Sequence, residues 1–176
     1  ADALDFDFAS LTTGDTHLRV VGNLPYNIST PLIFKLLEQA QIITDMHFML
    51  QLEVVERLAA SPGSKDWGRL GVMAQFRCEV EQLFEVPPEA FYPQPKVRSA
   101  VVRLTPHPEP PFPNVDPTSL GRVVTQAFSQ RRKTLRNNFK GTLEDSDFGT
   151  LAIDPSARAE TLSITDLVAI TVHLQG

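Results

Sequence analysis

LRVVGNLPYNISTPLIFKLLE, residues 18–38, is the stretch of sequence that decides the fold. Residues 18–22 form a nearly continuous apolar run ending in glycine, which is typical of a strand buried in a parallel sheet. Asn23-Leu24-Pro25-Tyr26 follows as a loop, because proline cannot pair within a central strand. Ser29-Thr30-Pro31 then offers a helix N-cap with proline in the first turn. The pattern predicts a helix over about residues 31–40, with one apolar face made by Leu32, Ile33, Leu36 and Leu37.

Further strands and helices alternate along the chain. Strands are predicted at residues 45–51, 79–86 and 99–105, and helices at 52–60 and 70–77. Ser61-Pro62-Gly63-Ser64 predicts a flexible loop to about Gly68, in which Trp67 is expected to be a local packing anchor. Strands alternating with helices indicate a mostly parallel sheet in a layered α/β domain. The last two strands are joined without a helix, which favours an antiparallel pair at the sheet edge.

A proline-rich stretch marks a change in composition. Residues 106–113 contain five prolines in eight positions, which is typical of a stiff linker. No strand pattern follows it, and the remaining residues resemble short helices. The predicted organisation is an α/β domain over residues 1–105, a linker over 106–116 and a small all-helical domain over 117–176.

The overall composition limits the class of protein. The chain has 176 residues, 42% of them hydrophobic, and a formal net charge of −5. Its single cysteine excludes a disulfide-stapled secreted scaffold and favours a reducing compartment. No apolar run is long enough to span a membrane, so we expect a soluble, cytoplasmic protein. The four histidines are scattered without ligand spacing, so no metal site is predicted.

A basic block lies within this acidic chain. No acidic residue occurs between Pro117 and Leu143, and the cations of this segment indicate a surface for a phosphate backbone. A helical wheel predicts an amphipathic helix with four cations on its outer face, namely Arg132, Lys133, Arg136 and Lys140. Arg131 falls in the apolar stripe and is expected to be a partly buried residue that bridges segments. The alternative for the whole block is an ordinary solvated helix face.

The loop Asn23-Leu24-Pro25-Tyr26 carries the chemistry. Ligands bind at the carboxyl ends of strands in open α/β sheets, and this loop follows such an end. The Asn23 side-chain oxygen and the Leu24 carbonyl can each accept an N–H from an amine on a planar base. Pro25 fixes the backbone so that this carbonyl points inward, and Tyr26 offers a face for stacking. The pattern indicates catalysis by positioning and electrostatics, with no metal or covalent nucleophile.

The sequence resembles the ribosomal RNA small-subunit adenine dimethyltransferases of the KsgA type. Five segments match in the family's order, namely VVGNLPYNISTPLIFKLLE, HFMLQLEVVERLAA, GRLGVMAQF, EVPPEAFYPQPKVRSAVVRL and AFSQRRKTLRN. Together they cover nearly the whole chain. The resemblance implies the later strands of a Rossmann-like class I methyltransferase sheet, followed by a helical domain that binds RNA.

The resemblance also implies an activity. This is the S-adenosylmethionine-dependent dimethylation of adenine N6 on two adjacent adenosines of 16S ribosomal RNA in the small subunit, during ribosome biogenesis. Asn23 and the Leu24 carbonyl would hold the target amine, and Phe91 would close the face of the base opposite Tyr26, with Tyr92 as an alternative. Asp2 would accept a hydrogen bond from the cofactor's adenine amine, and Asn23 would also line the cofactor pocket. Gly22 is expected to leave room for the methyl group already transferred.

One expected feature of such an enzyme is missing. A methyltransferase of this kind is expected to open with a Gly-rich strand-to-helix turn, and no G-x-G pattern occurs in the chain. We therefore expect a C-terminal fragment that lacks the Gly-rich cofactor half, binds S-adenosylmethionine weakly or not at all, and is inactive alone.

Three alternatives remain open at this point. One is an adenine dimethyltransferase of large-subunit RNA, and another is a non-catalytic rRNA-binding factor for ribosome assembly. The third is a DNA adenine methyltransferase, although no segment resembles an element that reads DNA sequence.

Overall fold

The computed structural model describes residues 2–176, which fall into two compact units. The first unit comprises Ala1–Ala59 and Met73–Glu109, and the second comprises Ala60–Val72 and Pro110–Gly176. The domain bounds 1–105, 106–116 and 117–176 stay a prediction. The units differ from those bounds chiefly in residues 60–72, which belong to the second unit by their contacts.

The first unit is built on a four-stranded sheet in the order β1-β2-β4-β3. The strands are β1 (Leu18–Asn23), β2 (Ile43–Gln51), β3 (Cys78–Val86) and β4 (Ser99–Pro106). β1 pairs parallel with β2, whereas β4 lies between β2 and β3 and pairs antiparallel with both. β1, β2 and β3 therefore point the same way. The α/β class and the antiparallel pair at the sheet edge are confirmed.

Three helices lie between these strands in the chain. Helix α1 (Ser29–Glu38) joins β1 to β2, and α2 (Leu52–Leu58) and α3 (Arg69–Arg77) lie between β2 and β3. Alternate residues of the two central strands form the core, because successive side chains of a strand point to opposite faces. These residues are 0–2% exposed: Met46, Phe48, Leu50, Ala100, Val102 and Leu104. In β2 and β4, every second residue is therefore apolar and buried, and these residues form the face of the sheet that is packed in the core.

The start of α1 differs from the prediction. The N-cap is Ile28, and no side chain caps the helix. The Ser29 hydroxyl donates instead to the Tyr26 carbonyl at 3.2 Å, which ties the helix to the preceding loop. Ser29 is therefore the first residue of the helix and Pro31 lies in its first turn.

The second unit contains α4 (Pro117–Ala127), α5 (Leu135–Asn138), α6 (Asp145–Leu151) and α7 (Ile164–Gln175). The prediction of one amphipathic basic helix was wrong, because α4 ends at Ala127 and the next helix begins only at Leu135. The Asn138 amide donates to the carbonyls of Ala127 and Gln130, at 2.7 and 3.3 Å, and so stabilises the turn between the helices. None of the helices within residues 2–176 is long and apolar enough to cross a membrane.

The loop at residues 61–68 is held by specific contacts, contrary to the flexible loop predicted. Trp67 is completely buried, and its indole N–H donates to the Leu162 carbonyl at 2.8 Å. The Gly63 N–H donates to the Glu160 carbonyl at 2.6 Å. The prediction that Trp67 is a packing anchor is confirmed.

Acid should weaken a contact between α6 and α7. The Asp147 carboxylate accepts from the Glu144 N–H at 2.7 Å and lies 2.9 Å from the His173 ring nitrogen. The Glu144 N–H, and next the His173 hydrogen bond, hold the pKa of Asp147 below its ordinary value. A lowered pKa adds stability above the unfolded pKa, near 3.9, and that stability is lost as the pH falls through the folded pKa.

We therefore predict that Asp147→Asn lowers the melting temperature at pH 7 and that the difference from wild type closes below about pH 4. The measurement is thermal unfolding of both proteins between pH 7 and pH 2. Asp15→Asn, which changes an exposed carboxylate, serves as the control. A difference that stayed constant over this range would contradict the prediction.

Candidate functional site

A cavity of about 430 Å³ opens at the carboxyl end of β1. It is lined by Asn23, Leu24, Pro25, Tyr26, Leu50, Phe91, Pro93, Pro95 and Ser99. The structure thus brings together all five residues predicted to hold and stack the target base, from two segments far apart in sequence. It also adds four residues that the sequence analysis did not single out, namely Leu50, Pro93, Pro95 and Ser99.

Two hydrogen-bond acceptors at this cavity are without an internal partner. β1 extends to Asn23, and the Leu24 N–H donates to the Met49 carbonyl at 3.2 Å, which fixes the start of the loop. Among residues 2–176, no hydrogen bond reaches the Asn23 side chain or the Leu24 carbonyl. The next carbonyl is occupied, because Pro25 accepts from the N–H groups of residues 28 and 29 at 3.2 and 3.1 Å. The first turn of α1 therefore leaves both the Asn23 side-chain oxygen and the Leu24 carbonyl without an internal donor.

Aromatic side chains form two parts of the cavity wall. Tyr26 lines it with 56% of its surface exposed, and the half-buried Phe91 lines it from the proline-rich segment. Tyr92 is fully exposed and does not line the cavity. Phe91 is thus the aromatic residue of this segment that is placed to contact a ligand in the cavity.

Gly22 serves the packing of this loop. A Cβ at Gly22 would lie 3.2 Å from the Leu24 Cδ2 atom, which is closer than most such contacts. Gly22 does not line the cavity. A side-chain atom of Leu24 lies beside it, and the expectation that Gly22 leaves room for a methyl group stays a prediction.

Asp2 does not line the cavity. It is exposed, and its Oδ1 atom accepts from the Leu4 N–H at 2.9 Å. The Lys35 ammonium of α1 donates to the Leu4 carbonyl and lies over the Phe8 ring at 5.9 Å from its centre. The segment around Asp2 is therefore attached to α1, and the second carboxylate oxygen of Asp2 is left for a donor.

The predicted RNA-binding cations lie in a turn and a short helix. Arg132 and Lys133 are exposed and line, with Gln130 and Arg131, a cavity of about 320 Å³. Lys140 is exposed beyond α5. These three exposed cations form no ion pair with any of the described residues. Arg136 differs, because its guanidinium binds Asp145 through two hydrogen bonds of 2.9 and 3.1 Å.

Arg131 has the bridging role that was predicted for it. Its guanidinium donates to the carbonyls of Lys65 and Trp67 at 2.7 and 2.9 Å. The residue is exposed, so the expected partial burial was wrong. Its donors are directed at protein carbonyls, and it fixes the turn at residues 130–133, here called the basic turn, to the loop that contains Trp67.

The cysteine is not placed for catalysis. Cys78 is buried at the start of β3, and burial raises the pKa of its thiol to about 12. A thiol with so high a pKa stays protonated at neutral pH and is a poor nucleophile. In the part of the chain that the structure describes, no group of three or more His, Cys, Asp and Glu side chains could hold a metal ion.

The comparison with protein families decides the assignment. The model of the family described as "Ribosomal RNA adenine dimethylase" matches residues 1–175. The chain belongs to this family. Similar proteins include the ribosomal RNA small subunit methyltransferase A of Pseudomonas aeruginosa, which is 61% identical over 173 residues, 98% of this chain and 65% of that protein. The protein of the same name from Marinomonas sp. is 61% identical over 174 residues, 99% of this chain and 65% of that protein.

Solved structures share the fold. A dimethyladenosine transferase from Plasmodium falciparum matches with a TM-score of 0.83 and 23% identity, over 99% of this chain and 70% of that one. The 23S rRNA methyltransferase ErmE matches with a TM-score of 0.69 and 22% identity, over 97% of this chain and 70% of that one. These matches support the Rossmann-like methyltransferase fold. The chain spans only about 65% of the length of the curated relatives named above.

Proposed function

We propose that this chain carries the adenine-binding and RNA-binding parts of an enzyme that dimethylates N6 of two adjacent adenosines in small-subunit ribosomal RNA. The observation that carries the proposal is the pair of unpartnered acceptors, the Asn23 side chain and the Leu24 carbonyl, at a cavity with aromatic walls. An adenine amine has two N–H groups, which matches two acceptors. The family match and the relatives' names support the same reaction.

The two acceptors explain how the amine becomes reactive. The lone pair of the adenine amine is delocalised into the ring, which makes it a poor nucleophile. Hydrogen bonds to Asn23 and the Leu24 carbonyl draw the nitrogen towards tetrahedral geometry and localise its lone pair. Tyr26 and Phe91 hold the base in place by stacking. Each transfer would form an N–CH3 bond, and the nitrogen would lose one proton to solvent. After the first transfer one N–H remains, so one of the two hydrogen bonds is released for the second transfer.

S-adenosylmethionine is the methyl donor we propose. When bound, it supplies the methyl group from its sulfonium centre. The residues present fit part of this molecule, because Asp2 has a carboxylate oxygen without a partner and Asn23 has a free side-chain amide. Asp2 would accept from the cofactor's adenine amine, and Asn23 would lie between cofactor and target.

The RNA partner is proposed to bind the second unit through Arg132, Lys133 and Lys140. Their positive charges are not neutralised by neighbouring carboxylates within residues 2–176, so they are available to phosphates. Arg136 is the exception because Asp145 holds it. We propose a cytoplasmic location, since the proposed substrate is a ribosomal RNA.

Salt dependence tests this assignment of the cations. We predict that Arg132→Ala and Lys133→Ala each reduce the slope of log K against log salt concentration for subunit binding by about one. Arg136→Ala should change the slope less, since its charge is already paired, and is the matched control. The measurement is the affinity for small ribosomal subunits at several salt concentrations. Equal slopes for wild type and all three variants would contradict the prediction.

The proposed function itself is tested in a chimera, in which this chain replaces the aligned segment of the Pseudomonas aeruginosa relative. The chimera is incubated with S-adenosylmethionine and unmethylated small subunits, and the RNA nucleosides are analysed by mass spectrometry. We expect N6,N6-dimethyladenosine in small-subunit RNA. Subunit binding without methylated adenosine would indicate an assembly factor, and methylation of large-subunit RNA alone would indicate the other dimethyltransferase class. Either result would overturn the proposal.

A further inference from the structure

Tyr92 stands on the rim of the cavity with its ring in solvent. Its chain neighbours Phe91 and Pro93 both line the cavity, whereas Tyr92 is fully exposed. No hydrogen bond or ring contact within residues 2–176 involves its side chain. The ring therefore contributes nothing to the packing of the first unit, and both of its faces are open to a ligand.

Lys96 lies on the same segment and has no partner either. It follows Pro95, which lines the cavity, and it is exposed. The other cation of this segment, Arg98, forms an ion pair of 2.9 Å with Glu85, whereas Lys96 forms none among the described residues. The rim thus presents an unpaired cation four positions beyond an unpacked aromatic ring.

We propose that Tyr92 stacks on the nucleotide next to the adenosine held in the cavity, and that Lys96 binds the phosphate that joins the two nucleotides. The inference rests on the proposed function and extends it to a second nucleotide. Aromatic faces and nearby cations are the groups with which proteins hold single-stranded RNA. In a substrate with two adjacent adenosines, the base that waits outside the cavity is one backbone unit away from the base inside. Tyr92 can therefore hold the waiting base while the first is methylated.

The chimera described above provides the test. Stacking on one base accounts for about 5- to 140-fold in affinity, so Tyr92→Ala should raise the KM for small subunits by a factor in this range, with kcat little changed. Tyr92→Phe keeps the ring and should stay within about twofold of wild type. Because the side chain is fully exposed, its removal leaves no cavity and the melting temperature should not change. Phe84→Ala removes another exposed aromatic, on β3, and is the matched control.

Subunits reconstituted with an abasic residue beside the target adenosine identify the contact. On this abasic substrate, the affinity of the wild-type chimera should fall by the same factor as the Tyr92→Ala substitution causes on the normal substrate. The affinity of Tyr92→Ala should be the same on both substrates. The Kd for subunits, measured in the same samples, tests the stacking even where no methyl transfer occurs. Lys96→Ala should reduce the salt slope by about one.

An unchanged KM and Kd for Tyr92→Ala would overturn the inference while leaving the proposed function in place. A fall in kcat at constant KM would also overturn it, because it would place Tyr92 at the reacting base. Absence of dimethyladenosine with the unsubstituted chimera would overturn the proposed function, and the Kd values would still decide the role of Tyr92.

Discussion

Asn23→Ala is expected to reduce the rate of methyl transfer by the chimera about a thousandfold, because it removes one of two groups that position and polarise the target amine. The Asn23 side chain has no hydrogen bond to the rest of the described protein, so its loss should leave the fold intact. Binding of small subunits should be nearly unchanged, since Asn23 is uncharged and is not one of the residues proposed to bind phosphate. The measurement is single-turnover dimethylation at saturating S-adenosylmethionine, followed by mass spectrometry.

Two further variants make this test specific. Asn23→Asp keeps an acceptor oxygen and should retain more activity than Asn23→Ala. Asn137→Ala removes an asparagine of α5 whose amide donates to the Thr134 hydroxyl at 3.0 Å, and it should methylate at the wild-type rate. A rate within tenfold of wild type for Asn23→Ala would show that the Leu24 carbonyl and the stacking residues suffice without Asn23.

Much of this site could be predicted because its chemistry lies in one short loop. The apolar run before Asn23 predicts the buried strand, and Pro25 ends the pairing, so the position of the loop follows from local rules. Phe91 was assigned only through the resemblance to a family, and the structure places it in the same cavity. Ser99 was missed because nothing local indicates that β4 pairs with β2 and brings its first residue to this end of the sheet.

The errors share a physical cause, which is hydrogen bonding of side chains to backbone carbonyls. Pro62 and Gly63 predict a flexible loop locally, but the Trp67 indole bonds to a carbonyl 95 positions away. The helical wheel of residues 124–140 is amphipathic, and both Leu135 and Phe139 are indeed buried. The side chain of Asn138 nevertheless binds the carbonyls of the intervening turn, an alternative to helical bonding that a wheel does not consider.

Arg131 shows how such contacts bear on function. A cation in a basic block is usually assigned to phosphate binding, yet this guanidinium donates to two backbone carbonyls of the loop at residues 65–67. The turn that carries Arg132 and Lys133 is thereby attached to this loop. Cations on a backbone that is already fixed lose less conformational entropy when they bind, so Arg131 supports the proposed RNA contact without making it.

Trp67→Ala is expected to lower the free energy of unfolding by about 3–5 kcal/mol, the usual cost of removing a buried tryptophan. Trp67 is 0% exposed, and the cavity left by its side chain would lie beneath the loop that Arg131 holds. Trp67→Phe keeps most of the apolar contact but leaves the Leu162 carbonyl without its donor, which should cost about 1–3 kcal/mol. Both are measured by urea unfolding followed by circular dichroism.

Val172→Ala provides the control for this experiment, because Val172 belongs to α7 of the same unit and is 51% exposed. An exposed substitution of this kind should change the free energy of unfolding by less than about 0.5 kcal/mol. If Trp67→Ala changed the free energy of unfolding by no more than Val172→Ala does, the loop at residues 61–68 would be flexible after all. The indole hydrogen bond would then hold neither the loop nor, through Arg131, the basic turn. If the large loss is found, the same variant should also weaken binding of small subunits at temperatures where it remains folded, because Arg131 attaches the turn that carries Arg132 and Lys133 to that loop.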